Sequence, residues 1–188
     1  RLFVTESEVD ERLAQQARMY AEQAGFGPGK AHALAILGNV ALVRREFAEA
    51  FRLLGQAVGQ YRESGALRSE PGVRTLIWLG TASVKVDREK YARRIYEKAR
   101  TLASRLDIQG LEGRALWGLG RLAWTEGDHG RATSLMLEAR SAFEESEDLI
   151  DLSEVMFNLG EIYREQGKLD EALAAVHQSI RLIERLGN

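Results

Sequence analysis

The chain has 188 residues, of which 45% are hydrophobic and two are proline, so it can bury a continuous core and has little sequence typical of disorder. The formal net charge of −2 argues against a broadly basic nucleic-acid surface, and the absence of cysteine excludes disulfides and thiolate metal sites. No stretch approaches the ~20 apolar residues of a membrane span. We therefore expect a cytoplasmic protein, part of a longer polypeptide because it starts at Arg1, with neither nucleic acid nor membrane as a partner.

The pattern of residues 5–24 predicts one amphipathic helix. Apolar side chains recur every three or four residues at Val9, Leu13, Ala17 and Tyr20, which places them on one helical face. We interpret this helix as the second half of a truncated repeat.

A Leu-Gly pair then returns four times, and its spacing is the most regular feature of the chain. The glycines are separated by 42, 40 and 40 residues, a period typical of stacked helical hairpins. The pairs are Leu37-Gly38, Leu79-Gly80, Leu119-Gly120 and Leu159-Gly160. This period predicts four hairpins, at residues 31–64, 72–105, 109–145 and 149–186.

Small and apolar residues follow each glycine at fixed distances. Alanine comes twelve residues later, at Ala50, Ala92, Ala132 and Ala172. Four further on are the apolar residues Leu54, Tyr96, Met136 and Val176. Because small residues let two helices approach closely, these positions predict where the helices of each hairpin cross.

Together these positions resemble the tetratricopeptide repeat, and the third and fourth units match it best. The matching residues are Leu116, Leu119, Gly120, Ala123, Ala132, Met136 and Ala139, followed by Met156, Leu159, Gly160, Tyr163, Ala172 and Val176. The period of about 40 residues is similar to the long-repeat subclass found in bacterial regulators and scaffold proteins. The resemblance implies an all-α, right-handed superhelical solenoid of antiparallel helix hairpins that forms one array over residues 1–188.

The resemblance also implies a concave groove, lined by the first helix of each hairpin, that binds a peptide or protein. The candidate groove residues are Asn39, Arg74, Ile77, Trp78, Thr81, Arg114, Trp117, Arg121, Trp124, Phe157, Asn158 and Glu161. Trp and Arg are enriched in binding hot spots, and Trp117 and Arg121, four residues apart, are expected to form a cation–π pair. No lysine occupies the position that would clamp a peptide's terminal carboxylate, so a peptide with an apolar anchor and acidic residues fits better.

Several alternatives stay open at this stage. Trp78 and Trp124 either line the groove or pack between hairpins, and Arg114 and Arg121 either face a ligand or pair with Glu154, Glu161 or Glu165. The groove could instead hold a small effector, as the sensor segment of a bacterial regulator. The last helix leaves Leu169, Leu173, Val176, Ile180 and Ile183 without a following hairpin, so we expect another repeat, a capping helix or a second copy of the chain to cover them, and self-association is a third candidate function.

Catalysis has little support in the sequence. No nucleophile, base and orienting group fall together, so we expect neither an enzyme nor a cofactor. The histidines His32, His129 and His177 lie in different repeats, without a carboxylate at ligand spacing on their own faces, and are expected to be ordinary surface residues rather than metal ligands. The acidic run from Glu144 to Asp151 is expected to be a solvated corner.

Overall fold

The computed structural model describes residues 6–23 and 25–187, and within these residues the chain forms nine α-helices and no strand. The helices are α1 (Glu6–Gln23), α2 (Gly27–Val43), α3 (Phe47–Glu63), α4 (Glu70–Lys85), α5 (Glu89–Arg105), α6 (Gln109–Thr125), α7 (His129–Glu145), α8 (Leu149–Glu165) and α9 (Leu169–Leu186). The predicted all-α class is confirmed. The predicted bounds at residues 1, 5, 24 and 188, and the side chain of Val9, lie outside the described residues. None of the described helices is both long and apolar enough to cross a bilayer.

Most helices are joined by three-residue turns that contain one residue with positive φ. At Gly127 and Gly167 φ is 79° and 75°, a left-handed conformation that glycine adopts without strain. Asp107 and Glu147 adopt the same conformation, with φ of 56° and 55°. The repeated turn geometry therefore imposes this backbone even where the sequence provides a side chain that disfavours it.

The Leu-Gly glycines Gly38, Gly120 and Gly160 lie where two helices touch. A Cβ atom built on Gly38 of α2 would lie 2.6 Å from Cγ of Leu54 on α3. On α8, a Cβ atom at Gly160 would lie 2.7 Å from Cγ2 of Val176 on α9. These distances confirm the predicted close approach, because any side chain larger than hydrogen would push the helices apart. They also correct the prediction for Val176, which packs within its own hairpin instead of lying uncovered.

The helices form two compact units, which divide between Ile95 and Tyr96 within α5. In the first unit α2 packs against α1, α3 and α4, and Leu34, Leu54 and Leu76 are fully buried or nearly so. The second unit contains the α6–α7 and α8–α9 hairpins, joined by contacts between α7 and α8. Its largest fully buried side chain is Phe143, whose ring lies where Gly113 leaves space for it.

Candidate functional site

The candidate groove residues of the first unit lie on α2 and α4 and offer little free surface. Ile77 is 7% exposed, and Asn39, Trp78 and Thr81 are half-buried. Arg74 forms an ion pair with Glu70, one turn earlier on its own helix. This set therefore presents neither an exposed apolar anchor nor an uncompensated charge.

The second unit brings together the candidates Trp117 and Arg121 on α6 with Phe157 and Asn158 on α8. The Arg121 guanidinium lies 5.9 Å from the Trp117 ring centroid, so the predicted cation–π pair is present. Trp117 donates its Nε1 hydrogen to Oδ1 of Asn158 over 3.4 Å, which orients the indole ring. Phe157 is 49% exposed. We call these four residues the α6–α8 face.

Arg121 is the available positive charge of this face. Its side chain is exposed, and within the described residues no carboxylate lies within ion-pair distance of it. Glu161, the equivalent residue on α8, pairs instead with Arg164 at 2.8 Å. A guanidinium without a carboxylate partner keeps its planar fork of donors available for a ligand.

Arg114 has a structural role instead. Its Nη2 lies 3.3 Å from Oδ2 of Asp148, and its Nε contacts Oδ2 of Asp151. Arg114 therefore pairs with acids further along the chain, as one alternative predicted, but its partners are two aspartates and not the predicted glutamates. The pairing ties α6 to the start of α8, where Asp148 caps the helix by accepting a hydrogen bond from the Asp151 backbone N–H at 3.1 Å.

Asp151 corrects the prediction of a solvated acidic corner, because the residue is only 9% exposed. Burial raises the pKa of its carboxyl group above the ordinary value of 3.8, and the positive charge of Arg114 offsets part of this effect. A buried carboxylate beside one arginine is a structural ion pair.

Trp124 is half-buried, and its indole nitrogen is bonded to the next hairpin. Its Nε1 donates a 2.7 Å hydrogen bond to Oε2 of Glu165, an atom that also lies 3.6 Å from Nδ1 of His129. The sequence pattern missed this carboxylate neighbour of His129 because it comes from the next hairpin. Within the described part of the chain no three metal-ligating side chains cluster.

The first unit contains a cavity of about 450 Å³ between α1, α2 and α3 that the sequence did not predict. Its charged lining is balanced, and it consists of Arg18, Arg44, Arg52, Glu22, Glu46 and Glu49. Arg18 pairs with Glu22 at 3.0 Å, and Arg52 pairs with Glu49. These internal pairs leave little charge to attract a ligand.

Comparison with known proteins supports the repeat pattern and the fold. Residues 111–185 match the tetratricopeptide repeat family model. No curated protein matches the chain in sequence. The resemblance proposed from the Leu-Gly and alanine positions is therefore confirmed by the family match in the third and fourth hairpins.

Solved structures of similar fold cover nearly the whole chain. BtubC (BKLC) from P. vanneervenii has a TM-score of 0.70 at 16% identity, over 98% of this chain and 93% of its own. A putative kinesin light chain with TPR-like repeats from Podosopora anserina has a TM-score of 0.72 at 13% identity, over 97% and 89%. A Rap protein complexed with Competence and Sporulation Factor has a TM-score of 0.81 at 20% identity, over 92% of this chain. The chain spans only 48% of that Rap structure.

Proposed function

We propose that this chain, which carries tetratricopeptide repeats, is a protein-interaction module of a larger protein and binds a peptide or protein segment on the α6–α8 face. The observation that carries the proposal is the pair of uncompensated Arg121 and Trp117, whose indole is hydrogen-bonded to Asn158, the residue after half-exposed Phe157. A Rap protein of similar fold is complexed with a factor, which supports a binding role for such an array. A binding module needs no catalytic group of its own.

The chemistry of this face favours a ligand with an apolar side chain next to a carboxylate. Phe157 and the Trp117 ring offer apolar surface whose burial is favourable, at about 25 cal/mol per Å². Arg121 can donate two parallel hydrogen bonds to a carboxylate while it stays stacked on Trp117. Arg121 breaks no ion pair when it does so, because no carboxylate of the described residues lies within ion-pair distance of it.

Exposure distinguishes a peptide from a small effector. Arg121 and Phe157 are both exposed on two neighbouring helices, and an extended or helical peptide can lie across such an open surface and cover both side chains at once. The open face therefore supports a peptide or protein ligand over the effector-sensing alternative.

A peptide-display selection against the native chain tests this proposal. We expect selected peptides to share an aliphatic or aromatic residue within a few positions of Asp or Glu. In fluorescence anisotropy, the dissociation constant of a labelled selected peptide should rise at least about tenfold for the double variant Arg121→Gln, Phe157→Ser.

The matched control is the double variant Arg94→Gln, Ile150→Ser. Arg94 lies 5.9 Å from the Tyr91 ring centroid, the same distance as in the pair on α6, and Ile150 is 62% exposed. This control should bind like the native chain. If no peptide is selected, or if the α6–α8 variant and the control bind equally well, the face is not the binding site.

A second candidate function is self-association through α9. Leu169, Leu173, Ile180 and Ile183 are 63, 59, 47 and 57% exposed and lie along one helical face. A contiguous apolar stripe of this kind favours a covering partner, and a second copy of the chain is the simplest one.

Sedimentation velocity tests this candidate with the variant Ile180→Glu, Ile183→Glu. We expect the native chain to associate as its concentration rises and the variant to remain a monomer. The control Ile150→Glu, at a similarly exposed position on α8, should associate like the native chain. A native chain that stays monomeric, or an α9 variant that still associates, would contradict self-association through this stripe.

A further inference from the structure

A cavity of about 500 Å³ lies between the C-terminal half of α5 and the first turns of α7, away from the α6–α8 face. Buried Leu119 and Leu135 contribute to its lining. Its charged lining is three arginines and two glutamates: Arg100, Arg105, Arg131, Glu97 and Glu112. The volume is within the usual range for a small-molecule site.

The three arginines are not equally compensated. Arg100 lies between two acids, 2.8 Å from Glu138 and 3.8 Å from Glu112. Arg105 and Arg131 are exposed, and neither has a carboxylate within ion-pair distance among the residues that the structure describes. The cavity lining therefore has two arginines without an ion pair, and because Glu97 contributes a carboxylate to the same lining, the formal net charge of the lining is +1.

The two arginines lie at opposite ends of their helices, so the helix dipole affects them differently. Arg105 is the last residue of α5, where a cation interacts well with the partial negative charge of the helix end. Arg131 lies in the first turn of α7, where the helix end is partly positive and a cation is disfavoured. Helix stability thus accounts for Arg105 but not for Arg131.

The neighbouring repeat shows that the two arginines are not required by the fold. Forty residues later, at the equivalent positions of α7 and α9, the chain has Glu145 and Glu171. The same helical framework thus accepts the opposite charge at both positions. Two arginines without an ion pair in one cavity are therefore a local feature of the end of the second hairpin and the start of α7 in the third, and they suit a ligand rather than the packing.

We propose that this α5–α7 cavity binds a small organic molecule with a doubly charged anionic group. Arg105 and Arg131 hold the anion, as a phosphate monoester or a pair of carboxylates, because arginine pairs with either through two parallel hydrogen bonds. Leu119 and Leu135 provide an apolar surface for the rest of the molecule. This site is independent of peptide binding on the α6–α8 face.

Phenyl phosphate and isophthalate are the probes, titrated into the ¹⁵N-labelled chain and followed by two-dimensional NMR. We expect saturable shifts of amides in residues 97–105 and 129–135 with at least one probe, and the probe that binds more tightly identifies phosphate or carboxylate as the preferred group. Benzyl alcohol, which has the ring without the charge, should produce no saturable shift at these amides.

The variant Arg105→Glu, Arg131→Glu introduces the residues of the next repeat and should weaken binding at least about tenfold. The variant Lys90→Glu, Arg181→Glu changes the net charge equally at exposed positions outside the cavity and should bind like the native chain. Arg131→Gln should weaken binding as well, and it serves if circular dichroism shows that the double variant has lost helix. Failure of both probes to saturate, equal affinity in the cavity variant, or equal binding of benzyl alcohol would overturn the proposal.

Discussion

Helices α6 and α8 occupy equivalent positions in consecutive repeats, and they agree on their buried sides and differ on their exposed sides. Leu119 and Gly120 of α6 correspond to Leu159 and Gly160 of α8, and all four are buried. On the other side, Arg114, Trp117 and Arg121 correspond to Glu154, Phe157 and Glu161. Packing against the partner helix thus fixes one side of each first helix and leaves the other free to acquire binding chemistry.

Among the substitutions that test the difference between α6 and α8, replacement of Arg114 should cause the largest loss in the free energy of unfolding. Arg114→Ala leaves the buried carboxylate of Asp151 without its cation, and we expect a loss of about 2 kcal/mol in the free energy of unfolding. This figure lies below the usual cost of breaking a fully buried pair because the Arg114 side chain is 34% exposed. Urea unfolding measures the difference.

Glu154→Ala is the matched control, because Glu154 occupies the equivalent position on α8 and is exposed. Its loss should change the free energy of unfolding by less than about 0.5 kcal/mol. Equal effects of the two substitutions would show that the Arg114 pairing adds nothing to stability and that both first helices expose this position alike.

The glycines of the Leu-Gly pairs provide the second test, since α6 and α8 place different side chains against them. A Cβ atom at Gly160 would meet Val176 Cγ2 at 2.7 Å and the Ala172 carbonyl oxygen at 3.3 Å. At Gly120 the nearest atoms belong to the Met136 side chain, at 3.2 Å or more. Valine is stiff and the backbone cannot move aside easily, whereas methionine can change rotamer.

We therefore expect Gly160→Ala to lower the free energy of unfolding by about 1–2 kcal/mol through overpacking. Gly120→Ala should be within about 0.5 kcal/mol of the native chain, because the gain in helix propensity of about 1 kcal/mol offsets the shift of Met136. Thermal or urea unfolding of both variants checks this order. A larger loss at Gly120 than at Gly160 would contradict it.

These glycines also show why the sequence predicted the fold well. Three hairpins repeat the same contact between a glycine and the apolar residue sixteen positions later, so the constraint appears in the sequence as a period: Gly38 with Leu54, Gly120 with Met136 and Gly160 with Val176. The Trp117–Arg121 pair was predictable for a similar reason, since residues four apart on a helix are neighbours by geometry alone.

Contacts between hairpins were not predictable in the same way. The Arg114–Asp151 pair spans 37 residues, and the Trp124–Glu165 hydrogen bond spans 41. Such contacts depend on side-chain rotamers and on how neighbouring hairpins pack, which a period does not specify. For the same reason, the burial of Asp151 was missed, because its equivalent on α6 is Leu111 and nothing in the acidic run of residues 144–151 marks one acid as internal.

The smallest expected effect is a pH dependence of the free energy of unfolding. It arises because α8 has the acid Asp151 where α6 has Leu111. Burial raises the pKa of Asp151 in the folded chain above its ordinary value of 3.8, so between the two values the folded state binds more protons than the unfolded state. The Asp151 contribution to the free energy of unfolding therefore falls as pH rises through this interval. At neutral pH the carboxyl group is ionised, and its burial then lowers the free energy of unfolding by the full amount. Glu22 and Glu49 act in the opposite direction, because hydrogen bonds from arginine lower their pKa values.

Subtraction of the variant Asp151→Asn separates the two trends, since asparagine does not titrate and the glutamates are common to both chains. The stability of the variant relative to the native chain should increase from pH 3.5 to pH 7. Urea unfolding across this range measures the difference. If the stability of the variant relative to the native chain were flat or decreased with pH, Arg114 would fully compensate the burial of the Asp151 carboxylate. In that case the acid on α8, where α6 has a leucine, would not lower the free energy of unfolding.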